Sequence, residues 1–395
     1  MNLCIDAGAV ENAHRERGIG RCTYELLRAL TREMVAERAL DVQYLSRFSV
    51  LTVGAAAARH APRSAVSAWT ATHGRLPYQL TERWKPVETR VLLAREVAAT
   101  GADVFLATDP QAVAISRRFR TVALLYDLIP LRFPAEYLPR SAPLRRASFA
   151  MQCRAIRQAS RLIAISEATR RDAVELLGIP ASNVEVVPLA VDAGVFQPPS
   201  PAQVAQVLAL YGIDRSYFFY VGGFDARKNV AMMVEAFLSL ASRTDAILAV
   251  AGEPGRLGTR LRLRFEGSPY ADRIRWLGYV PEADLPALYG GALALVYPSV
   301  YEGFGLPVLE AMSCGAPVVA ARISSLPEVA GEAALYSDPD SADQLAAAMT
   351  RIAAEPALRD ELRSRGVTRA RRFSWAETAR RVLDVCTRVG HGGGR

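Results

Sequence analysis

Lysine is almost missing from this chain: of 48 Lys+Arg among 395 residues, only Lys85 and Lys228 are lysine. A sequence that otherwise writes its cations as arginine carries a lysine at 228, directly after Arg227. Drift accounts for one lysine, but a compact point charge set against a phosphate accounts for it with more content. Histidine is scarce too. His14, His60, His73 and His391 show no metal-ligand spacing, so no metal site is expected. The five cysteines, Cys4, Cys22, Cys153, Cys314 and Cys386, are odd in number, scattered and without a CxxC pair. That excludes a disulfide or zinc framework and suits a reducing cytoplasm. No apolar run reaches the ~18 to 20 residues of a spanning helix, and MNLCIDAGAV lacks a basic leader region. The expectation is a cytoplasmic protein with no membrane-spanning segment.

What is present is a long, half-apolar chain, 51% hydrophobic, enough for two or three domains with a core in each. Its net charge of +8 is unevenly placed. Residues 1–190 hold 26 Lys+Arg against 18 Asp+Glu, whereas residues 191–395 hold 22 of each. The excess lies wholly in the first half.

Apolar, β-rich runs recur at 2–7, 42–46, 102–108, 121–127, 161–166 and 184–190, with helical patterns between most of them, including about 23–37, 141–160 and 167–177. Residues 50–100 carry the least legible pattern. VDAGVFQPPSPAQ, residues 191–203, has three prolines in four residues and reads as a linker. The alternation then restarts, with strands at 217–223, 246–252, 274–280, 292–298, 316–321 and 334–338, and closes on helices at 341–353, 356–371 and 375–389. Strand–helix alternation implies parallel sheets. The fold class expected is α/β: two doubly wound, Rossmann-like domains, 1–190 and 204–373.

The most informative stretch is VYPSVYEGFGLPVLEAMSCGAPVVAA, 296–321, with Glu302 and Glu310 eight positions apart around a Gly-rich bend. Pro307 favours a helix start and Gly315 a helix stop. Glu302 is therefore expected on a loop at the carboxyl end of a strand, and Glu310 in the first turn of the next helix. That sheet edge is where ligands of open α/β sheets bind, and a helix N-terminus offers N–H groups to an anion. An acidic first-turn residue that merely complements the helix dipole explains Glu310 alone, but not the whole segment. Gly222-Gly223-Phe224-Asp225-Ala226-Arg227-Lys228-Asn229 follows the first strand of the second domain. Its glycines allow close approach of a phosphate, and its two cations match a nucleoside diphosphate. Gly278-Tyr279-Val280-Pro281 ends another strand at the same edge.

The Arg227-Lys228 turn, the Glu302-x7-Glu310 segment and PLAVD at 188–192 together resemble the retaining glycosyltransferases of family 4, which have the GT-B fold of two Rossmann-like domains across a cleft. The resemblance implies a metal-independent hexosyltransferase without a cofactor, fed by a nucleotide-diphosphate sugar, with a glycan or polyprenyl-linked acceptor in surface-polysaccharide synthesis. Arg227 and Lys228 would contact the diphosphate, Glu302 the transferring sugar and Glu310 the ribose, with amides of Phe304, Gly305 and Leu306 on phosphate or sugar. Gly223 and Val280 would also line the donor, and helices from about 374 to 390 would pack back on the first domain. Gly18-Ile19-Gly20-Arg21 resembles the loop that faces the donor diphosphate, so Gly18 and Gly20 join that set. Tyr126-Asp127-Leu128-Ile129-Pro130 resembles the His-Asp-Leu-Ile-Pro of polysaccharide mannosyl- and rhamnosyltransferases, which puts Tyr126 and Asp127 on the acceptor side. Tyr126 replaces a histidine there, and Gly223 stands where many members place an arginine.

GDP-mannose is the first expectation for the donor; dTDP-rhamnose and UDP-sugars stay open, as does an inactive nucleotide- or glycan-binding scaffold. An epimerase or phosphorylase on the same architecture is a further alternative. The phosphorylase would need a lysine for pyridoxal phosphate. Asp338-Pro339-Asp340 has the DxD spacing of metal-dependent transferases but precedes a helix, which favours capping. Ser166-Glu167 matches a family pair and equally a helix cap. Arg140, Arg145, Arg146, Arg154, Arg157 and Arg161 leave peripheral contact with an anionic membrane open; no nucleic-acid partner is expected.

Overall fold

The computed structural model describes residues 1–10, 18–46, 49–52 and 92–392. Lys85, His14, His60, His73, the polar loop at 11–17 and most of the segment 50–100 lie outside the described residues. Two compact units emerge: residues 1–188 together with those from Trp375 onward, and Leu189–Ser374.

In the first unit, β1 (Asn2–Asp6), β2 (Asp41–Ser46), β4 (Val104–Ala107), β5 (Arg120–Leu125), β6 (Arg161–Ala164) and β7 (Val184–Val186) are parallel, and β3 (Ser49–Thr52) runs antiparallel on the edge. Their order is β3-β2-β1-β4-β5-β6-β7. The amphipathic helix Trp375–His391 belongs to this unit and buries Thr378, Ala379, Val382, Leu383 and Cys386. The Thr378 hydroxyl donates to the Pro188 carbonyl at 2.8 Å, and Arg38 meets Asp384 at 2.8 Å.

In the second unit, β8 (Tyr217–Val221), β9 (Ile247–Ala251), β10 (Ile274–Gly278), β11 (Ala294–Tyr297), β12 (Val318–Ala321) and β13 (Leu335–Ser337) are all parallel, in the order β10-β9-β8-β11-β12-β13. The central runs YFFYV, ILAVA, ALVY and VVAA are buried almost throughout. That is what a parallel sheet covered on both faces requires of its sequence. Strand order reverses between β8 and β11, and the carboxyl ends of strands flanking such a reversal are where open α/β sheets bind ligands.

Local chemistry corrects three expectations. The helix expected at 23–37 is two helices, Gly18–Ala29 and Arg32–Ala36, because Thr31 leaves the helical basin and its Oγ1 accepts the Met34 N–H. Gly18-Ile19-Gly20-Arg21 is consequently the first turn of a helix, not a loop. Residues 191–203 are packed within the second unit. Phe196 is buried against the Tyr289 ring, and a Cβ at Gly290 would stand 2.5 Å from Pro199. They lead into an unexpected helix, Pro201–Leu210, closed by a Ser200–Gln203 capping box.

Asp6 ends β1 at the first sheet's own reversal point, beside β4, and is buried. Its Oδ1 accepts the Gly8 N–H at 2.9 Å and its Oδ2 lies 3.2 Å from the Thr108 hydroxyl. Burial pushes its carboxyl from 3.8 to about 6 against the Gly8 bond, with the Asp109 charge adding to the rise. The folded state thus holds this proton more tightly than the unfolded chain. Its stabilisation is complete below about 3.8 and is lost as pH rises through about 6. Two pKa units correspond to about 3 kcal/mol. Asp6→Asn is therefore expected to be more stable than the parent at pH 7.5 and nearly equal at pH 4, as read from urea midpoints at the two pH values.

Candidate functional site

Gly222 follows β8, Gly252 follows β9 and Gly278 closes β10, and these glycines let the three loops lie side by side. The Gly222 N–H donates to the Ala251 carbonyl at 3.1 Å, and the Gly252 N–H to the Gly278 carbonyl at 2.7 Å. A Cβ at Gly252 would stand 2.1 Å from the Gly222 carbonyl oxygen, so no larger residue fits. After Gly222-Gly223 the chain makes a 3₁₀ turn, Ala226–Lys228, and Asn229 in the left-handed basin starts the helix Val230–Leu240. Arg227 and Lys228 therefore precede that helix rather than sit in its first turn. The β11 loop is laced to this turn. The Val300 N–H donates to the Arg227 carbonyl at 2.8 Å, and Arg227 Nη1 donates to the Tyr301 carbonyl at 3.2 Å.

The centre of the site is an ion cluster. Lys228 Nζ donates to Glu302 Oε1 at 2.6 Å and to Tyr297 Oη at 2.8 Å, and lies 5.1 Å from the Tyr297 ring centre. Arg227 Nη1 stands 3.2 Å from Glu302 Oε2, and its Nη2 is 3.8 Å from Asp225. The Lys228 and Glu302 residues are 8% and 7% exposed, deep enough for each charge to require the other. Burial alone would raise the Glu302 carboxyl, but Lys228 and Arg227 outweigh it and hold the group below its ordinary range. Burial pulls the Lys228 ammonium down, while Glu302 opposes the shift. Both oxygens of Glu302 thus face cations, whereas the sequence pointed them at sugar hydroxyls.

Glu310 is in the second turn of its helix, not the first, because Leu306–Ser313 begins one residue before Pro307 with Gly305 at its N-cap. It is 5% exposed, and its Oε2 accepts the Tyr289 hydroxyl at 2.8 Å. Phe304 is buried and edge-on to Phe373, Gly305 takes φ +102°, and the helix start leaves Gly305 and Leu306 N–H groups without intrahelical acceptors. Val280 is buried in the loop after β10. In the first unit, Tyr126 follows β5 and is buried, with its phenol pushed well up by burial. The Asp127 carboxylate accepts the Ile129 N–H at 3.0 Å. Ser166 caps the helix Glu167–Leu177, and Asp338 accepts the Asp340 N–H just before the Ser341 cap, so these two motifs serve local turns.

Sequence reasoning missed the partners of the charged residues. Tyr297 lay inside an apolar strand run and Tyr289 inside a helix. Ser324 and Ser325, which bond the backbone of the Glu302 loop, stood in an unremarked RISSLP. The signal available was a tyrosine among aliphatics at a strand's carboxyl end.

Comparison with known proteins decides the family. Residues 17–195 match the model for Glycosyltransferase Family 4, and residues 212–371 the model for Glycosyl transferases group 1. The O-antigen chain mannosyltransferase B of Escherichia coli is 31% identical over 376 residues, covering 93% of this chain and 95% of that protein. The chain belongs to glycosyltransferase family 4. The MMP alpha-(1->4)-mannosyltransferase of Mycolicibacterium hassiacum is 31% identical over 242 residues, 60% of this glycosyltransferase and 56% of that one. Among solved structures, sucrose-phosphate synthase from Thermosynechococcus elongatus matches with TM-score 0.72 and 19% identity, covering 98% of each chain. Anabaena HepE in complex with UDP and glucose matches with TM-score 0.67 and 16% identity, over 97% of this chain and 98% of that one. These likenesses show the GT-B fold.

Removing the carboxylate takes from Lys228 and Arg227 the counter-charge that lies nearest to both. Glu302→Ala is expected to cost about 3–5 kcal/mol, measured as the loss in unfolding free energy at pH 7. The folded carboxyl lies below its ordinary 4.5, so its contribution is full above that value and lost as pH falls through the folded value. The difference between variant and parent should narrow in acid.

Proposed function

We propose that this family 4 enzyme is a retaining, metal-independent mannosyltransferase that moves mannose from GDP-mannose to a glycan or polyprenyl-linked acceptor of a surface polysaccharide. The observation that carries the reading is the Arg227–Lys228–Glu302 cluster at the β8/β11 reversal point. The mannosyltransferase relative that is alike over nearly the whole chain supports the sugar.

Chemically, the bond from sugar C1 to the leaving phosphate oxygen breaks as the acceptor oxygen bonds to C1 on the same face, and the acceptor proton passes to the departing phosphate. Charge builds on the diphosphate, so fixed cations and N–H dipoles there lower the barrier. Arg227, Lys228 and the N–H groups of Gly305 and Leu306 fill that role, with Phe304 shaping the turn. Arg227 and Lys228 together outnumber the Glu302 carboxylate between them, so the cluster offers the diphosphate positive charge without a metal ion, and no cofactor is needed. Glu302, tied by both oxygens to cations, positions them, reaches the hexose only when a diphosphate takes over those contacts, and is no nucleophile. Glu310 sits one turn further along the helix for the ribose diol. Gly223 and Val280 complete the donor set of the second unit; the roles the resemblance implies for Gly18 and Gly20 toward the donor, and for Tyr126 and Asp127 toward the acceptor, fall to the first unit by itself.

The enzyme is proposed to work in the cytoplasm against the inner leaflet. Exposed Leu144 and Arg145 open the helix Pro143–Gln158, which has no acidic residue in its first turn. Such a cationic, partly apolar tip favours an anionic surface. Among the described residues no helix is long and apolar enough to cross a membrane.

Two measurements test the assignment. In a thermal-shift panel of GDP, UDP and dTDP with their sugars, the guanine pair should stabilise most, by about 2.7 kcal/mol at 100 times its dissociation constant. A larger shift with UDP- or dTDP-sugars would move the donor to that base, and binding without turnover in the presence of acceptor would make the protein a scaffold. Lys228→Ala should lower kcat/KM for the donor by at least ~10-fold, the scale of one charge-assisted contact. Parent kinetics in that variant would remove the basic pair from the site.

A further inference from the structure

The loop that carries Glu302 is held by the loop after β12, and the hold is strained. Ser324 takes φ +51°, a basin that side chains other than glycine, asparagine and aspartate enter only when the surroundings impose it. Its Oγ accepts the Glu302 N–H at 3.0 Å. The next residue, Ser325, is fully buried, with its Oγ 3.0 Å from the Glu302 carbonyl and 2.8 Å from that of Phe304. A Cβ at Gly305 would stand 2.7 Å from Leu326 Cδ2, so the two loops are interlocked at both ends of the bend. Glu302 is fixed at every polar group: N–H by Ser324, carbonyl by Ser325, carboxylate by Lys228 and Arg227.

We propose that Ser324 is a positioning residue for sugar transfer: its left-handed turn sets the backbone of Glu302, and through Glu302 the place at which Arg227 and Lys228 present their charge. This rests on the reading of the basic pair as the diphosphate contact. Glycine would take the same φ without strain but has no hydroxyl. Ease of folding and the hold on Glu302 therefore pull in opposite directions at this one residue, which gives the proposal a signature that a purely structural serine lacks.

The test uses the full chain with Ser324→Gly and Ser324→Asn. Three properties are read: thermal midpoint, hydrogen exchange in the segment 298–308, and kcat and KM with GDP-mannose. In the glycine variant the midpoint should equal or exceed the parent's, while amides at 302–304 exchange ~5- to 10-fold faster, the scale of one lost hydrogen bond. Its kcat should fall ~10-fold with KM within about threefold, the pattern of a contact that matters most in the transition state. Asparagine tolerates the left-handed basin and offers an acceptor oxygen, so Ser324→Asn should regain both the protection and most of the turnover. Unchanged exchange in the glycine variant overturns the hold on Glu302, and faster exchange with parent kcat overturns its role in transfer. Should the parent fail to use GDP-mannose, the donor reading falls while the exchange measurement still decides the hold.

Discussion

The second unit is organised around one buried contact, the Lys228 ammonium against the Glu302 carboxylate at 2.6 Å. Taking either charge out of water alone would cost more than the fold can spare, and together they are tolerable only with good geometry and further hydrogen bonds. The structure supplies both. Tyr297 takes a second Lys228 proton, and Arg227 takes the other carboxylate oxygen. The two loops that hold the pair leave neighbouring strands, β8 and β11, at the point where strand order reverses. The glycines at the carboxyl edge, Gly222, Gly252 and Gly278, and the serines after β12 are the backbone conditions for that meeting. An internal carboxylate holds the cation pair in a fixed place and orientation, and fixed charge is the property an electrostatic catalyst needs.

The two sheets share a strand order over six strands, the first with an antiparallel edge and a seventh strand, but place opposite charges at their reversal points. The first buries an acid there, Asp6, with its proton affinity raised. The second buries a base held ionised by a partner. One topology thus offers two chemically distinct edges. The difference lies in a few loop residues and not in the framework, as expected when function is grafted onto a shared fold.

Much of this was legible in the sequence, and the misses share a cause. Each expected strand overlaps an observed one and β3 was not expected, yet VFLA, RTVALL, RLIA and VEV stop one to four residues before the apolar run does. Burial continues past the ladder into the loops at the carboxyl edge, as at Tyr126, Ile165 and Val187, so hydrophobicity marks the core and not the hydrogen bonds. Arg227, Lys228 and Glu302 were legible as charged residues in glycine-containing bends that directly follow apolar strand runs. Tyr297, Tyr289 and Ser324 were not, since a tyrosine in a strand or a serine in a loop carries no mark of what it bonds. Helix Pro201–Leu210 was hidden by prolines that, placed at its start, favour it. Glu310 slid to the second turn because the helix starts at Leu306, one residue before Pro307, with Gly305 as its cap.

The scarcity of lysine gives the buried pair a practical meaning. With Lys85 as the other lysine of the chain, side-chain amine chemistry is confined to two positions, one of them sealed by a carboxylate and a phenol. An acylating reagent applied to the unmodified protein therefore has Lys228 as a built-in probe, whose masking or release is read from the mass of one peptide. The residue that anchors the cluster is also its natural label.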